Sequence, residues 1–418
     1  MVDRAENELI TRVEGDTPLA RVMREHAWIP FGLSDNLVAG AAPTGVRLFG
    51  ENYVAFRAED GRIGFFDELC PHRRASLLLA RAEGNGLRCI YHGWKMDVPG
   101  CVVDCPTQVH RAEQFAASVR FPHFTVHEAG GIAWVWLGDG DAPAFPDLPF
   151  TADHGVNTSL TISVLPCNWL QGLEGGLDSI HATILHQTWI RDIVARQRTS
   201  IDTEGVESTF AAPPVYETET APFGLTTASV RPAGEDRKFI RITHYFFPLV
   251  IVVPTGYEDH TQVFAFAPID DTHHLVVFGN YGTIPQMSQH GFGSVRDDVE
   301  PDPRNFASLQ GGRANRWGQD RALLDGGHFT GIGRSVIDED ATVQVSMGPI
   351  SDRPGEHLSA SDVAVAQARR VILEAIATVE AGGLPPGSAR SPEPVRIPHP
   401  FEATLDVDAS WRELAGTR

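Results

Sequence analysis

The sequence is nearly without lysine. In 418 residues it has only Lys95 and Lys238, and its basic character rests on arginine. Lysine and arginine together number 34 against 54 aspartates and glutamates, a net charge of -20. So acidic a chain lacks the basic face that a phosphate backbone requires, which argues against a nucleic-acid partner. Anionic membranes repel it for the same reason. Long apolar runs are missing too: no window approaches the ~20 consecutive apolar residues of a membrane helix. The opening M-V-D-R-A-E-N-E-L-I has no positive stretch followed by an apolar one, so no signal peptide is expected and the chain reads as cytoplasmic. Cysteine is scarce, and its five copies are an odd number, which argues against a disulfide framework. Four of them, Cys70, Cys89, Cys101 and Cys105, fall in one short window, with Cys167 apart. That clustering points to metal chemistry.

What is present is the composition of a globular protein, large enough for two or three domains. Residues 1–45 read as a mixed lead-in with a helical pattern over Pro18 to His26. From Gly45, V-R-L-F-G-E-N-Y-V-A-F-R and R-I-G-F-F-D-E-L-C read as two strands joined by a turn at Asp60-Gly61. Short strand-like runs continue to G-G-I-A-W-V-W-L-G at 130–138, and the Gly-, Pro- and Asp-rich stretch 138–150 reads as a linker. The expected division is a small all-β domain over 1–150 with its lead-in, and a second domain over 151–418. In the second, a helical segment precedes T-T-A-S-V-R, K-F-I-R-I-T-H-Y-F-F, L-V-I-V-V-P, T-Q-V-F-A-F-A-P and H-L-V-V-F-G-N-Y. Successive strands without intervening helices predict a large antiparallel sheet, and the class is α+β. Weak periodicity from about Ile284 to Gln319 predicts a long loop. S-D-V-A-V-A-Q-A-R-R-V-I-L-E-A-I-A-T-V-E-A-G-G predicts an amphipathic helix capped by Ser361 and ended by Gly382-Gly383.

Cys70, His72, Cys89 and His92 are spaced C-x-H, sixteen residues, then C-x-x-H. Two thiolates and two imidazoles suit a tetrahedral zinc ion. They also suit a Rieske [2Fe-2S] centre, in which two cysteines take one iron and two histidines the other. Common zinc fingers pair C-x-x-C with H-x-x-x-H rather than two Cys-His halves. Each half here follows a strand in a turn-rich loop, C-P-H-R and C-I-Y-H-G-W, whose backbone N–H groups can bond bridging sulfides. C-P-H-R-R-A-S-L followed by C-I-Y-H-G-W-K-M-D resembles the Rieske domain of ring-hydroxylating oxygenases. High-potential Rieske proteins carry an additional cysteine in each loop. Ala75 and Tyr91 stand at those places, which favours the lower-potential oxygenase or ferredoxin type. Cys101 and Cys105 are read as buried structural cysteines without a ligand role.

The second constellation is D-x-x-H-x-x-x-x-H, Asp178, His181 and His186. On an ideal helix Asp178 and His181 share a face, about 60° apart, whereas His181 and His186 lie about 140° apart. The two histidines suit one metal only if the helix is distorted or ends there, and Gly172, Gly175 and Gly176 permit that. Taken alone, the segment is better explained by two satisfied surface or core histidines. A one-electron centre upstream changes the weighing, because two imidazoles and one carboxylate with open positions make the site of non-haem Fe(II) oxygenases. C-N-W-L-Q-G-L-E-G-G-L-D-S-I-H-A-T-I-L-H resembles the iron-binding segment of Rieske oxygenase α subunits of the phthalate dioxygenase-like branch. The resemblance implies that His181 and His186 bind iron and that Asp178 bridges His181 to His92 of a neighbouring subunit. For the third ligand the sequence offers Asp338, Glu339, Asp340 and Asp352, and spacing does not choose among them. The likeness of E-D-A-T-V-Q-V-S-M-G-P-I-S-D-R-P-G-E-H-L to the family's ligand segment implies Asp340.

The resemblance spans nearly the whole chain, including G-D-T-P-L-A-R-V-M-R and H-F-T-G-I-G-R. It departs at Gly175, where many relatives have Asn, and at Ala20 and Val345, where they often have Gly and Glu. It implies a helix-grip (START-like) catalytic domain, a Rieske cluster, mononuclear Fe(II), O2 as co-substrate and NADH electrons delivered by a partner reductase or ferredoxin. It implies a homotrimer or hexamer, and an aromatic substrate undergoing either ring hydroxylation or O- or N-demethylation. An aromatic carboxylate would be well held by arginine. Arg231 and Arg241, on T-A-S-V-R and I-R-I-T-H, are the candidates, although a strand arginine also serves as a salt-bridge or surface residue. An electron carrier or a ligand-binding redox sensor is the competing class, and neither requires a second iron.

Overall fold

The computed structural model describes residues 2–151, 158–189, 191, 213–254, 260–282, 311–333 and 335–415. Among them no helix is long and apolar enough to cross a membrane.

Two helices, Arg4–Thr11 and Pro18–His26, open the chain. Asp3 and Glu6 close a reciprocal capping box on the first, and Thr17 with Pro18 starts the second. The small β region follows. Trp28–Leu33 pairs with Ile132–Trp136, which pairs with Thr125–Ala129. Thr44–Leu48, Glu51–Arg57 and Ile63–Asp67 form a second sheet, and four strands between Arg81 and Asp104 form a third. The sequence pattern merged the first two strands of the second sheet into one. Phe49 and Gly50 separate them with φ of 53° and 81°, a tight hairpin turn in which one position is held by a phenylalanine rather than by a usual turn residue.

The catalytic region is built on an eight-stranded antiparallel sheet. Its path runs Ser159–Leu165, His273–Gly282, His260–Asp270, Val250–Pro254, Arg237–Phe246, Gly224–Pro232 and Val215–Ala221. Phe401–Asp406 pairs beside Arg237–Phe246, so Glu402 faces Arg241 across the ladder. Each strand-like run named from the sequence lies in this sheet. The predicted long loop from Ile284 to Gln319 falls mostly outside the described residues, and its end holds a short 3-10 segment, Arg313–Gly318.

Three helices cover one face. Trp169–Leu177 packs on Ile251 and Phe266, where the side chains of Gly172 and Gly176 would otherwise be. Val336–Ser346 packs on that helix, and Val363–Glu380 lies against both it and the strands Val215–Ala221 and Gly224–Pro232. The last helix does not use Ser361 as its cap. A 3-10 turn, Ala360–Asp362, capped by Ser359, precedes it and places Asp362 at the cap position without a side-chain bond. Its end follows the sequence signal, with Gly382 at φ 80° and the amides of Gly382 and Gly383 bonding back to Val379 and Thr378.

A buried ionic cluster ties Trp169–Leu177 to Val363–Glu380. Glu174 Oε1 accepts from Arg353 Nε at 2.9 Å and Arg369 Nε at 2.7 Å, and its Oε2 accepts from Arg353 Nη2 at 2.9 Å. Arg353 also donates to Asn7 Oδ1, and Arg369 donates twice to Glu356. Burial would raise the Glu174 carboxyl, but the two guanidiniums hold it below the usual carboxylate range. The opening helices share this core: Asn7 bonds to Ser351, and His26 to Ser388.

Candidate metal centres

The two Cys-His loops are built alike. In each, the Cys amide bonds forward and the Cys carbonyl accepts from the amide four residues on: Cys70 with Ala75 and Arg74, Cys89 with Trp94 and Gly93. Arg74 and Gly93 take φ of 59° and 75°, the left-handed turn each loop needs. The Cys70 and Cys89 thiols are buried and face one another. Burial pushes the Cys70 thiol up to about 11, against the pull of the His72 and Arg73 amides aimed at its sulfur. His72 and His92 lie outside them, ring centroids 4.5 Å apart at 77°, with His72 stacked on Trp94. Nδ1 of His92 is buried and has no hydrogen-bond partner among the described residues. Two thiols on one side, two imidazoles on the other and inward-pointing amides fit a [2Fe-2S] cluster better than one tetrahedral ion. All five cysteines are free. Cys105 is buried as expected, but Cys101 is exposed, because it follows the turn at Gly100.

The second centre depends on a broken helix. Asn168 caps Trp169–Leu177, and the helix stops at Asp178, whose φ and ψ are extended. Asp178 Oδ1 accepts from the Ile180 amide, and a new short helix, His181–Ile184, begins. This break, with a turn at Leu185 and His186, brings both histidines to one point. Asp340 comes from Val336–Ser346, which Ser335 caps. Asp340 Oδ1 lies 3.0 Å from His186 Nε2 and 3.3 Å from His181 Nε2. One potential ligand atom from each of the three residues lies within 4.8 Å of the others. Two imidazoles and a single carboxylate, with His181 and Asp340 partly exposed, suit Fe(II) with open positions.

The charges of these side chains follow this geometry. Burial would lower His181, but Asp178 and Asp340 raise it to about 10. Burial would raise Asp340, but the two imidazoles hold it well below the carboxylate range. Asp178 Oδ2 stands 3.7 Å from His181 Nδ1, too far for a hydrogen bond, and that nitrogen has no hydrogen-bond partner among the described residues. The other acids are elsewhere. Asp338 accepts from Ser335, Asp352 lies by the turn at Gly355, and Glu339 accepts from Nδ1 of His186 at 2.7 Å. Sequence reasoning offered Glu339 only as a rival ligand. The adjacent E-D pair was the available signal, because neighbouring residues on a helix diverge by about 100° and can reach two sides of one ring.

Arg231 and Arg241 are near one another, but their surroundings differ. Arg241 donates to Pro254 O at 2.8 Å and pairs with Glu402 at 3.3 Å. Arg231 is 1% exposed and donates only from Nη1, to Ser229, leaving Nε and Nη2 buried without partners among the described residues. The neighbouring Tyr216 hydroxyl is also without a hydrogen-bond partner there. Burial pulls the Arg231 guanidinium below its ordinary value. A buried, half-satisfied cation is costly and suits an anion arriving from outside.

Residues 27–120 match the Rieske [2Fe-2S] domain family, and residues 135–418 match the family described as LigXa C-terminal domain like. The chain is 34% identical to the phthalate 4,5-dioxygenase oxygenase subunit of Pseudomonas putida, over 99% of this chain and 94% of that protein. It is 33% identical to the 3-chlorobenzoate-3,4-dioxygenase oxygenase subunit of Comamonas testosteroni, over 91% of this chain and 90% of that one. The fold is shared with dicamba monooxygenase in its complex with dicamba, at a TM-score of 0.58 and 18% identity, covering 86% of this chain and 99% of that one.

Proposed function

The chain belongs to the Rieske-type ring-hydroxylating oxygenases as an oxygenase subunit, and from that premise we propose that it oxidises an aromatic carboxylate by ring hydroxylation. The convergence of His181, His186 and Asp340 carries this reading, because a pure electron carrier or a sensor has no use for a second three-ligand site. Cys70 and Cys89 would hold one iron of the cluster and His72 and His92 the other, with His181, His186 and Asp340 holding the mononuclear iron. When bound, the cluster supplies electrons one at a time and the ferrous ion supplies open positions for dioxygen. Asp178, beside His181, serves as the bridge toward His92 of a neighbouring subunit, which calls for a homotrimer or a hexamer. An NADH-linked reductase or a ferredoxin provides the electrons.

The chain's own residues bind and orient the substrate. Arg231 supplies two N–H groups to its carboxylate in a buried place where a charge-assisted bond is strong. Arg241 supports the sheet edge through Glu402 and Pro254. Ring hydroxylation adds both atoms of O2 to the arene with two electrons and two protons. Demethylation of an aryl ether would instead add one atom, release formaldehyde and reduce the other atom to water.

Product analysis with labelled O2 over a panel of aromatic acids and methoxy-aromatic acids tests this. Two labels in a dihydrodiol support hydroxylation, and an unlabelled phenol with release of formaldehyde assigns demethylation. Purified protein should hold about three iron atoms per chain. His181→Ala should lose the mononuclear iron and keep the Rieske absorption, and Cys70→Ser should lose that absorption. Full iron content and activity in His181→Ala would overturn the assignment.

A further inference from the structure

We propose that Glu339 is a positioning residue of the mononuclear centre: its buried carboxylate fixes the His186 ring so that Nε2 faces Asp340, and the loop over residues 328–333 holds that carboxylate in place. This rests on the reading of His181, His186 and Asp340 as iron ligands.

Asp340 and Glu339 are consecutive on Val336–Ser346 and reach opposite nitrogens of one imidazole. Asp340 lies 3.0 Å from Nε2 of His186 and Glu339 lies 2.7 Å from its Nδ1. Glu339 is fully buried and His186 is 3% exposed, so water competes for neither. The second oxygen of Glu339 accepts from the Thr330 hydroxyl. Both oxygens are thus engaged on the side away from Asp340, which removes Glu339 as a ligand. A carboxylate behind a ligating imidazole fixes its tautomer and orientation and raises its basicity.

The loop carrying Thr330 is itself fastened. The Ile332 amide donates to Thr330 Oγ1 at 3.1 Å, and the Gly331 amide donates to His328 Nδ1 at 3.2 Å. Phe329 N donates to Thr188 Oγ1 at 3.1 Å, two residues beyond His186, and His328 meets Trp189 edge-on. The loop therefore holds Glu339 from one side and clasps the histidine segment from the other. A motif read only as a family likeness acquires a physical task.

The test is an anaerobic Fe(II) titration of enzyme that keeps its Rieske cluster but has been stripped of mononuclear iron by a chelator. Glu339→Gln keeps the volume and removes the charge. It should weaken Fe(II) binding tenfold or more, the range seen when a carboxylate behind a ligating histidine is lost, with the Rieske absorption unchanged. Thr330→Val should weaken binding less, and should add nothing in the Glu339→Gln background, since it acts through Glu339. Wild-type affinity in Glu339→Gln overturns the proposal. If that variant does not fold, wild-type affinity in Thr330→Val overturns it. His186→Ala separates the two levels: if it retains wild-type affinity the ligand reading itself falls, and if it loses iron while Glu339→Gln does not, only the role of Glu339 falls.

Discussion

Gly175 and Gln344 share one space: a Cβ on Gly175 would stand 2.7 Å from Nε2 of Gln344. Gln344 comes from the helix that carries Asp340, so the place of a side chain on Trp169–Leu177 is filled from across the interface. Alanine in a helix interior gains up to about 1 kcal/mol over glycine, and here the gain is offset by displacing the amide. Gly175→Ala should leave the thermal midpoint unchanged or slightly lower. In a Gln344→Ala background the same change should stabilise by about 1 kcal/mol. Equal effects in both backgrounds would show that the two residues are not coupled.

Gly172 has no such give. A Cβ there would meet His274 Nε2 at 2.6 Å and the Phe266 ring at 2.8 Å. Overpacking of this kind costs about 1–3 kcal/mol. Gly172→Ala should lower the denaturation midpoint by that amount and reduce mononuclear iron content, with the Rieske absorption retained.

His274 also predicts a pH dependence. It is fully buried, and burial lowers its pKa from 6.5 to about 4, despite the bond its Nδ1 makes to the Cys167 carbonyl. The folded state therefore binds fewer protons than the unfolded chain between these values. Its contribution is complete above pH 6.5 and is lost as pH falls toward 4, on the order of 3 kcal/mol in all. His274→Gln should flatten that part of the stability profile measured by urea denaturation at pH 7 and pH 5. An unchanged slope would assign the acid sensitivity elsewhere.

Arg231 and Arg241 should separate cleanly. Arg231→Met removes a buried cation whose Nε and Nη2 lack hydrogen-bond partners among the described residues, so the fold should be unharmed or more stable. The KM for a carboxylate substrate should rise 10- to 100-fold, the loss of a charge-assisted bond of about 1.5–3 kcal/mol. Arg241→Met should lower stability through Glu402 and leave KM nearly unchanged. Similar KM values for wild type and Arg231→Met would remove Arg231 as the anchor.

The residues that sequence made legible are those whose partners are local. Cys70 with His72 and Cys89 with His92 each sit in one short loop, and the catalytic strands announce themselves by composition. Asp340 was not chosen by spacing, because it meets His181 and His186 only after two helices pack together. Glu339 and Thr330 were hidden for the same reason. Arg241 looked equivalent to Arg231 until Phe401–Asp406 came to pair beside it and supplied Glu402. The hairpin at Phe49 was missed because phenylalanine is an improbable residue for a left-handed turn.

The cluster of Glu174, Arg353, Arg369 and Asn7 bears on how the polypeptide matures. Asn7 emerges from the ribosome first, Glu174 midway and Arg369 near the end, yet each completes the bonding of the others. During synthesis the Glu174 carboxylate has no cation until residues 353 and 369 appear. The helix leading to His181 cannot reach its final packing before then. The meeting of His181 and His186 with Asp340 is accordingly a late event in folding. A fragment holding only residues 151–418 would lack the segment that contributes Asn7 and His26.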